Sequence, residues 1–425
     1  MRSSRRSVGS MPELAILAVI LMLFTASTRA AAQQEKVLHS FSNNGTDGVG
    51  SVSALVVDAN GNLYGTTASG GTGTGCGSGC GTVFELMRAA GGWTEKVLHE
   101  FTLNSGKDGA VPEAGLILDA AGNLYGTTYE GGAYDGGAVF ELSPSAGGRW
   151  TEKILHSFKV HGRDGIYPWG GLIFDSSGNL YGPTAYGGAF QRGTVFELTP
   201  GAGGTWTEKL LHQFGGGSDG QVVYGGVVFD AAGNLYGTTV EGGLYAGGTV
   251  FELTPTTGGG WSEKVVHHFG SGADGSYPYD GVILDASGNV YGTTFYGGNN
   301  LNCSPSCGAV FELVPTGGGA WTEEVVHGFG DSATDGTWPT GGLIFDASGN
   351  LYGTTGYGGD FFRGTVFELT PSTGGWTETI LHSFGNGQDG TDPWPSLVFD
   401  GSGNLYGTTT GGGIYRSGMA FEITP

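Results

Sequence analysis

Short apolar runs alternate with clusters of Gly, Pro, Asp and Ser along this chain, and none repeats with the 3.6-residue period of an amphipathic helix. In one representative stretch the runs 282–284, 289–294, 309–313 and 321–329 are rich in β-branched and aromatic residues, and their turn-forming borders predict four strands. The block recurs seven times. Asn62, Asn123, Asn179, Asn234, Asn289, Asn350 and Asn404 each open the phrase NLYG or NVYG, at spacings of 61, 56, 55, 55, 61 and 54 residues. A four-stranded antiparallel meander exposes two apolar faces, and seven copies bury them by stacking face to face around an axis. The sequence therefore predicts an all-β fold, a seven-bladed β-propeller with four antiparallel strands per blade. A linear β-solenoid fits less well, because its coils are usually shorter than about 30 residues.

Glycine supplies 88 of the 425 residues, a share that without periodicity would suggest a low-complexity chain. Its recurrence at the borders of the runs makes it turn punctuation instead. The phrase GLIFDASGNLYG (342–353) resembles the inner two strands of NHL-type propeller blades, which places 342–346 and its counterparts innermost and the strand beginning at Trp outermost. On that phase the seventh unit stops after its third strand, and residues 35–41, EKVLHSF, are a fourth strand without a blade. The ring is expected to close by the N-terminal strand 35–41 joining the last blade, which removes two exposed sheet edges.

The phrases GNLYGTT (349–355), GTVFEL (364–369) and the strand at 150–158 are similar to those of the exported bacterial GloVer tandem-repeat proteins, the Gloeo/Verruco repeat family, over the whole mature chain. That family is defined by its repeat and by C-terminal sorting anchors rather than by a reaction. The resemblance implies a propeller outside the cytoplasm and assigns no chemistry. The last repeat runs to Pro425, so an anchor of the family's kind is not implied.

Residues 1–32 are of another kind. Arg2, Arg5 and Arg6 precede an apolar run at 14–24, and the stretch ends in Ala30, Ala31 and Ala32. The run is too short for a stable membrane span, and the small-residue ending suits a signal peptidase. A signal peptide 1–32 and a single propeller domain 33–425 are expected, with a secreted or periplasmic location and no membrane insertion after cleavage. Cleavage takes four of the 17 Lys and Arg and one of the 39 Asp and Glu, so the mature chain carries −25. That charge repels phosphate backbones and anionic headgroups, which excludes nucleic acid as a partner. A monomer is expected.

Several polar residues recur in every unit. The outer strand carries Glu35, Glu95, Glu152, Glu208, Glu263, Glu323 and Glu378, with His39, His99, His156, His212, His267, His327 and His382 four residues later. Groups present once per blade are expected to make structural hydrogen bonds, and seven histidines on seven outer strands cannot share a metal. The Tyr of each NLYG phrase and the Glu of each FEL phrase are read in the same way, with those Glu pairing to outer-strand Lys such as Lys96 and Lys153. Asp47, Asp108, Asp164, Asp219, Asp274, Asp335 and Asp389 each precede a Gly, a turn-forming pair. A ring of seven carboxylates could instead hold calcium, but no calcium-loop spacing supports it, and no cofactor or metal is expected. The glycine that closes GNLYG is expected where two backbones approach closely, and Pro183, in place of a Thr, is expected to shorten or bulge its strand.

Departures from the repeat are where function is sought. Cys76 and Cys80, and Cys303 and Cys307, sit in the loops that lengthen units one and five, and local disulfides are expected in an exported chain. Tyrosines outside NLYG, and the non-repeat Trp169, Trp338 and Trp394, all fall in loops at one end of the blades, while the loops at the other end are bare of Tyr and Trp. Varied aromatic loops on a rigid scaffold are where binding is expected. The candidate ligand-binding residues are Tyr134, Tyr167, Trp169, Tyr245, Tyr277, Tyr279, Trp338 and Trp394. The expected function is an exported, non-catalytic binding module for an extracellular glycan or a protein partner. A polysaccharide lyase or hydrolase on the same face is the alternative, with His161, Arg163, Glu130 and Glu241 as its candidates, and a structural surface protein without a specific ligand is the third reading.

Overall fold

The computed structural model describes residues 34–425 apart from 104–105, 107, 216–217, 273 and 299–305. The expected signal peptide lies outside the described residues. Seven antiparallel sheets follow one another as blades, each running from a two-residue innermost strand to a long outermost one. In blade three Ile173–Phe174 pairs with Leu180–Thr184, then come Thr194–Pro200 and the outer Trp206–Gln213. The last blade takes its outer strand, Gln34–Ser40, from the N-terminus, which pairs with Met419–Thr424. Phe41 continues the join by donating its amide to Gly418 O at 2.9 Å. The ring closes as expected, one residue earlier in the chain.

The repeated phrases build this ring by local hydrogen bonds. The carboxylate of Asp346 accepts the amides of Ser348 and Asn350 through Oδ1 and the Asn350 side chain through Oδ2, at 2.8–2.9 Å. The Tyr352 hydroxyl lies within reach of both Asp346 and Glu368. GNLY is thus clipped onto the Asp that opens its own turn, and Gly349, at φ +85°, supplies the left-handed step. Gly353 is needed for a different reason from the expected one. A Cβ there would lie 2.5 Å from Cζ of Phe367, so a ring, not a backbone, occupies the space.

The next residue ties blades together. Thr66, Thr238, Thr293, Thr354 and Thr408 each donate a hydroxyl hydrogen bond to a carbonyl of the following blade, those of Ala114, Asp280, Gly341, Pro395 and Ser53. Pro183 stands at this position in blade three, and its strand is neither shortened nor bulged: Leu180–Thr184 keeps five residues in register, with Pro183 opposite Val195. The ladder to the inner strand stops at Tyr181, so the missing N–H takes no bond from it. What blade three lacks is the hydroxyl clasp, which blade two also fails to make, its Thr127 Oγ1 having no hydrogen-bond partner among the described residues.

Between blades, a Phe at the end of each outer strand meets a Phe of the next blade, edge to face in Phe101–Phe140 and Phe158–Phe196 at 5.2 Å and more tilted in Phe214–Phe251 and Phe269–Phe311. Phe41 and Phe84 repeat the contact across the closure at 5.1 Å, both fully buried. The core is therefore a set of seven apolar clusters shared by neighbouring blades. Outer-strand Lys153 reaches Glu141 at 3.8 Å, as expected, but Lys96 turns away to the Gly148 carbonyl.

Candidate functional site

The segment that crosses from one outer strand to the next inner strand shapes one end of the ring. In blade three Gly165–Ile166 pairs with Tyr186–Gly187, Tyr167 takes φ 59°, and Pro168 directs Trp169 toward the axis. The left-handed step recurs at Gly50, Val111, Val222, Tyr277, Trp338 and Asp392, with φ between 57° and 64°. Such a conformation costs a non-glycine residue on the order of 1 kcal/mol. It persists because both backbone groups are paired: Tyr167 N donates to Gly136 O at 2.8 Å, and Tyr167 O accepts from Ala185 N.

Two residues after each left-handed step the chain reaches the axis. Val52, Glu113, Trp169, Tyr224, Tyr279, Thr340 and Trp394 are the seven equivalents, and all line one cavity of about 690 Å³. A continuous row of rings runs along its wall, from Trp169 through Tyr224 and Tyr279 to Phe295, and extends beyond it at both ends. Tyr167 stacks on Tyr129 at 4.8 Å, Tyr129 meets Trp169 at 5.3 Å, Trp169 meets Tyr224 at 4.7 Å, and Tyr224 stacks on Tyr279 at 5.9 Å. Phe295 extends the row from Tyr279 to Trp338. Trp394, on the far side, is 46% exposed.

Two carboxyl groups enter this wall. Glu113 is pushed up to about 7, mainly by burial and further by the charge of Glu130. Tyr129 is also raised, first by burial and then by its neighbours Tyr186, Tyr167, Glu130 and Glu113. Asp280 is saturated instead: Oδ1 accepts Gly281 N at 2.7 Å, and Oδ2 accepts Gly342 N at 2.6 Å and Ser396 Oγ at 2.8 Å. Asp280 thus braces the pocket, whereas no side-chain hydrogen bond of Glu113 is found among the described residues.

Of the candidates read from sequence, Trp169, Tyr279 and Trp394 line the cavity, and Tyr167 backs its rim. Trp338 is set aside from it, its indole N–H bonded to Ser306 O at 3.2 Å and its ring held between Phe295 and Tyr357. Tyr277 lies in a separate polar cleft with Arg192 and Glu241, where Glu241 accepts the Gln221 amide. Tyr134 and Tyr245 are exposed loop tips, Tyr134 under the Lys159 ammonium at 5.5 Å. His161 and Arg163 are exposed and do not line the cavity. Sequence reasoning missed Glu113, although the signal was present: it replaces Trp, Tyr, Thr or Val at a repeat position. It also passed over the exposed tips Phe190, Phe361 and Phe362, because only Tyr and Trp were weighed.

The repeated polar residues meet between blades. The outer-strand His of one blade, the Asp of the following Asp-Gly pair and the outer-strand Glu of the next blade converge, as in His99, Asp108 and Glu152, or His382, Asp389 and Glu35. Burial first, and the facing Asp second, push Glu152 up to about 9 and Glu208 to about 8. The expected hydrogen bonding of these histidines is incomplete, since Nε2 of His156 and of His327 has no hydrogen-bond partner among the described residues. The Asp-Gly carboxylates face blade interfaces rather than one ring about the axis. Cys76 and Cys80 are joined, with Cα atoms 5.2 Å apart. Cys307 is disulfide-bonded, and Cys303 lies outside the described residues.

These features define a seven-bladed tandem-repeat propeller with an aromatic-walled axial pocket. The chain belongs to the Gloeobacter/Verrucomicrobia repeat family, whose repeat matches residues 23–230, 74–304 and 226–425. A search of curated proteins finds no match. Among solved structures it is similar to polysaccharide lyase Uly1, at 13% identity over 94% of each chain, with a TM-score of 0.53. It is also similar to the extracellular domain assigned to a hybrid two component system of B. thetaiotaomicron, at 14% identity and a TM-score of 0.53. That match covers 92% of this chain and 41% of the other, so the chain spans about two fifths of its length. At such identities the likeness is one of fold.

Proposed function

We propose that this protein is an exported, non-catalytic binding module that takes an extracellular glycan chain into its axial pocket. The observation that carries the reading is the row Trp169, Tyr224 and Tyr279 on the wall of a cavity of about 690 Å³. Aromatic faces with polar edges suit the alternating C–H and hydroxyl surfaces of sugar rings, and the volume lies in the usual range for small-ligand sites. Export is supported by the pattern of residues 1–32 and by the Cys76–Cys80 bond. Glycan-array screening of the mature protein, followed by calorimetry on wild type and Trp169→Ala, tests the reading. Saturable binding to one sugar class that the substitution weakens supports it, and binding unaffected by Trp169→Ala and Tyr224→Ala defeats it.

A lyase or hydrolase reading is favoured by one observation, the Glu113 carboxyl held near 7 beside Glu130 and the Tyr129 hydroxyl. A group that titrates there is suited to proton transfer at neutral pH. Incubating array hits with the protein separates the two readings. New chain ends that vanish in Glu113→Gln select catalysis, and an unchanged glycan selects binding alone.

A further inference from the structure

We propose that two blade interfaces are binding sites for divalent transition-metal ions of the zinc class, each held by one imidazole and two carboxylates. The proposal stands apart from the axial pocket and rests on two interfaces. At one, the ligand atoms of His156, Asp164 and Glu208 lie within 4.8 Å of one another. His156 Nε2 is 3.6 Å from Asp164 Oδ2 and 3.7 Å from Glu208 Oε1. At the other, His327 Nε2 is 4.0 Å from Asp335 Oδ2 and 3.6 Å from Glu378 Oε1.

These separations are too long for hydrogen bonds. Zinc bonds of about 2.0–2.2 Å to nitrogen and oxygen, opened to a tetrahedral angle, put ligand atoms about 3.3–3.6 Å apart. The four His-to-carboxylate separations, 3.6, 3.7, 4.0 and 3.6 Å, lie at or within a few tenths of an ångström above that spacing. A second observation is independent of spacing. The Asp335 side chain is 2% exposed and its Oδ1 has no hydrogen-bond partner among the described residues. Asp164, 10% exposed, leaves Oδ1 in the same state, and Glu208 and Glu378 each face their Asp as a carboxyl pair that a shared proton or an ion must join. Buried polar atoms without partners are rare in folded proteins and point to an ion or a proton that completes them. Each Asp faces the Glu of the next blade, so an ion that displaces the proton of that Glu meets two carboxylates and an imidazole, a set of charge −2 that a divalent ion neutralises.

The donor set selects the ion. Calcium takes six to eight oxygen ligands, whereas imidazole with carboxylate suits zinc and its first-row neighbours, with water in the remaining position. Because the ligands come from consecutive blades, an ion bound there joins them, and binding only to the folded ring raises its stability.

The test uses the mature protein stripped with EDTA and titrated with zinc chloride, read by calorimetry, metal analysis and thermal melting. Saturable zinc uptake, a Tm that rises with zinc and falls again with EDTA, and no such rise with calcium are expected. His156→Gln and His327→Gln should each lose zinc in proportion to the site removed, while His268→Gln, outside the sets, keeps the wild-type content. Absence of saturable uptake by the wild type overturns the proposal and leaves a shared proton between the carboxyl groups. Undiminished uptake in the double His variant overturns it as well. The wild-type titration stands even if a variant fails to fold.

Discussion

The Ser396 hydroxyl donates to Asp280 Oδ2 at 2.8 Å, joining blade seven to blade five across the axial pocket. The same oxygen accepts Gly342 N of blade six at 2.6 Å, so one carboxylate fastens three blades. Asp280→Ala leaves that amide without its charged acceptor, and loss of a hydrogen bond to a charged group costs about 1.5–3 kcal/mol. Urea denaturation should show a loss of this size. Ser396→Ala should cost less, because the Asp keeps its two amide donors, and the two substitutions should be non-additive in a double-mutant cycle. Strict additivity would mean that the side chains do not interact in solution.

The aromatics of this face should separate into two groups. Trp169→Ala and Tyr224→Ala remove rings from the cavity wall, and each should weaken glycan binding by roughly five- to thirty-fold, equivalent to about 1–2 kcal/mol. Trp338→Ala should behave differently, because its ring is packed between Phe295 and Tyr357 and its N–H is bonded to Ser306 O. It should lower Tm and leave affinity per folded molecule nearly unchanged. Calorimetry and melting on the three variants decide the grouping, and equal loss of affinity in all three would contradict it.

That Trp169 and Trp338 part company shows what the sequence carried and what it did not. Both stand in crossover segments of the same face, Trp338 within the short strand Gly336–Pro339, so both are legible as departures from the repeat. Only their offset from the left-handed step distinguishes them: Trp338 is at that step, whereas Trp169 follows it by two residues and points to the axis. The blades themselves were readable because GNLYG, the FEL strand and the outer strand are local, their bonds closing within one unit. Contacts between units were not. His156, Asp164 and Glu208 belong to three different segments, and no spacing within one unit announces that they meet. Glu113 was hidden by a different bias, since it makes a carboxyl out of a position otherwise read for aromatics.

Glu113 gives the pocket a pH dependence. Burial and the Glu130 charge raise it from 4.5 to about 7, so the folded state holds its proton more tightly than the unfolded chain does. Its contribution to stability is complete below about 4.5 and is lost as pH rises through about 7. The difference in unfolding free energy between wild type and Glu113→Gln should therefore change across that window and be flat above it. Glycan affinity should follow the same group: a neutral carboxyl donates a hydrogen bond and is cheaply desolvated, so binding should be tighter below pH 7 than above. Glu113→Gln should abolish that step. A wild-type affinity independent of pH from 5 to 9 would remove Glu113 from the site.

Closure supplies the last prediction. The N-terminal strand gives the ring Leu38 and Phe41, both buried, and it also gives Glu35 to the interface with blade six and His39 to the interface with blade one. Phe41→Ala removes one ring of the edge-to-face pair with Phe84 and should cost about 3–5 kcal/mol, the usual loss for a buried Phe. Deleting residues 33–41 removes all four groups and uncovers the strand Met419–Thr424, whose free edge then invites pairing with other chains. The deletion should lower Tm further than Phe41→Ala does and should produce oligomers in size-exclusion chromatography. Adding the peptide 33–41 in trans should restore the monomer if the exposed edge is the cause. A deletion variant that melts with the wild type would mean that the blade-seven sheet holds without its outer strand, and that the ring does not depend on joining its two ends.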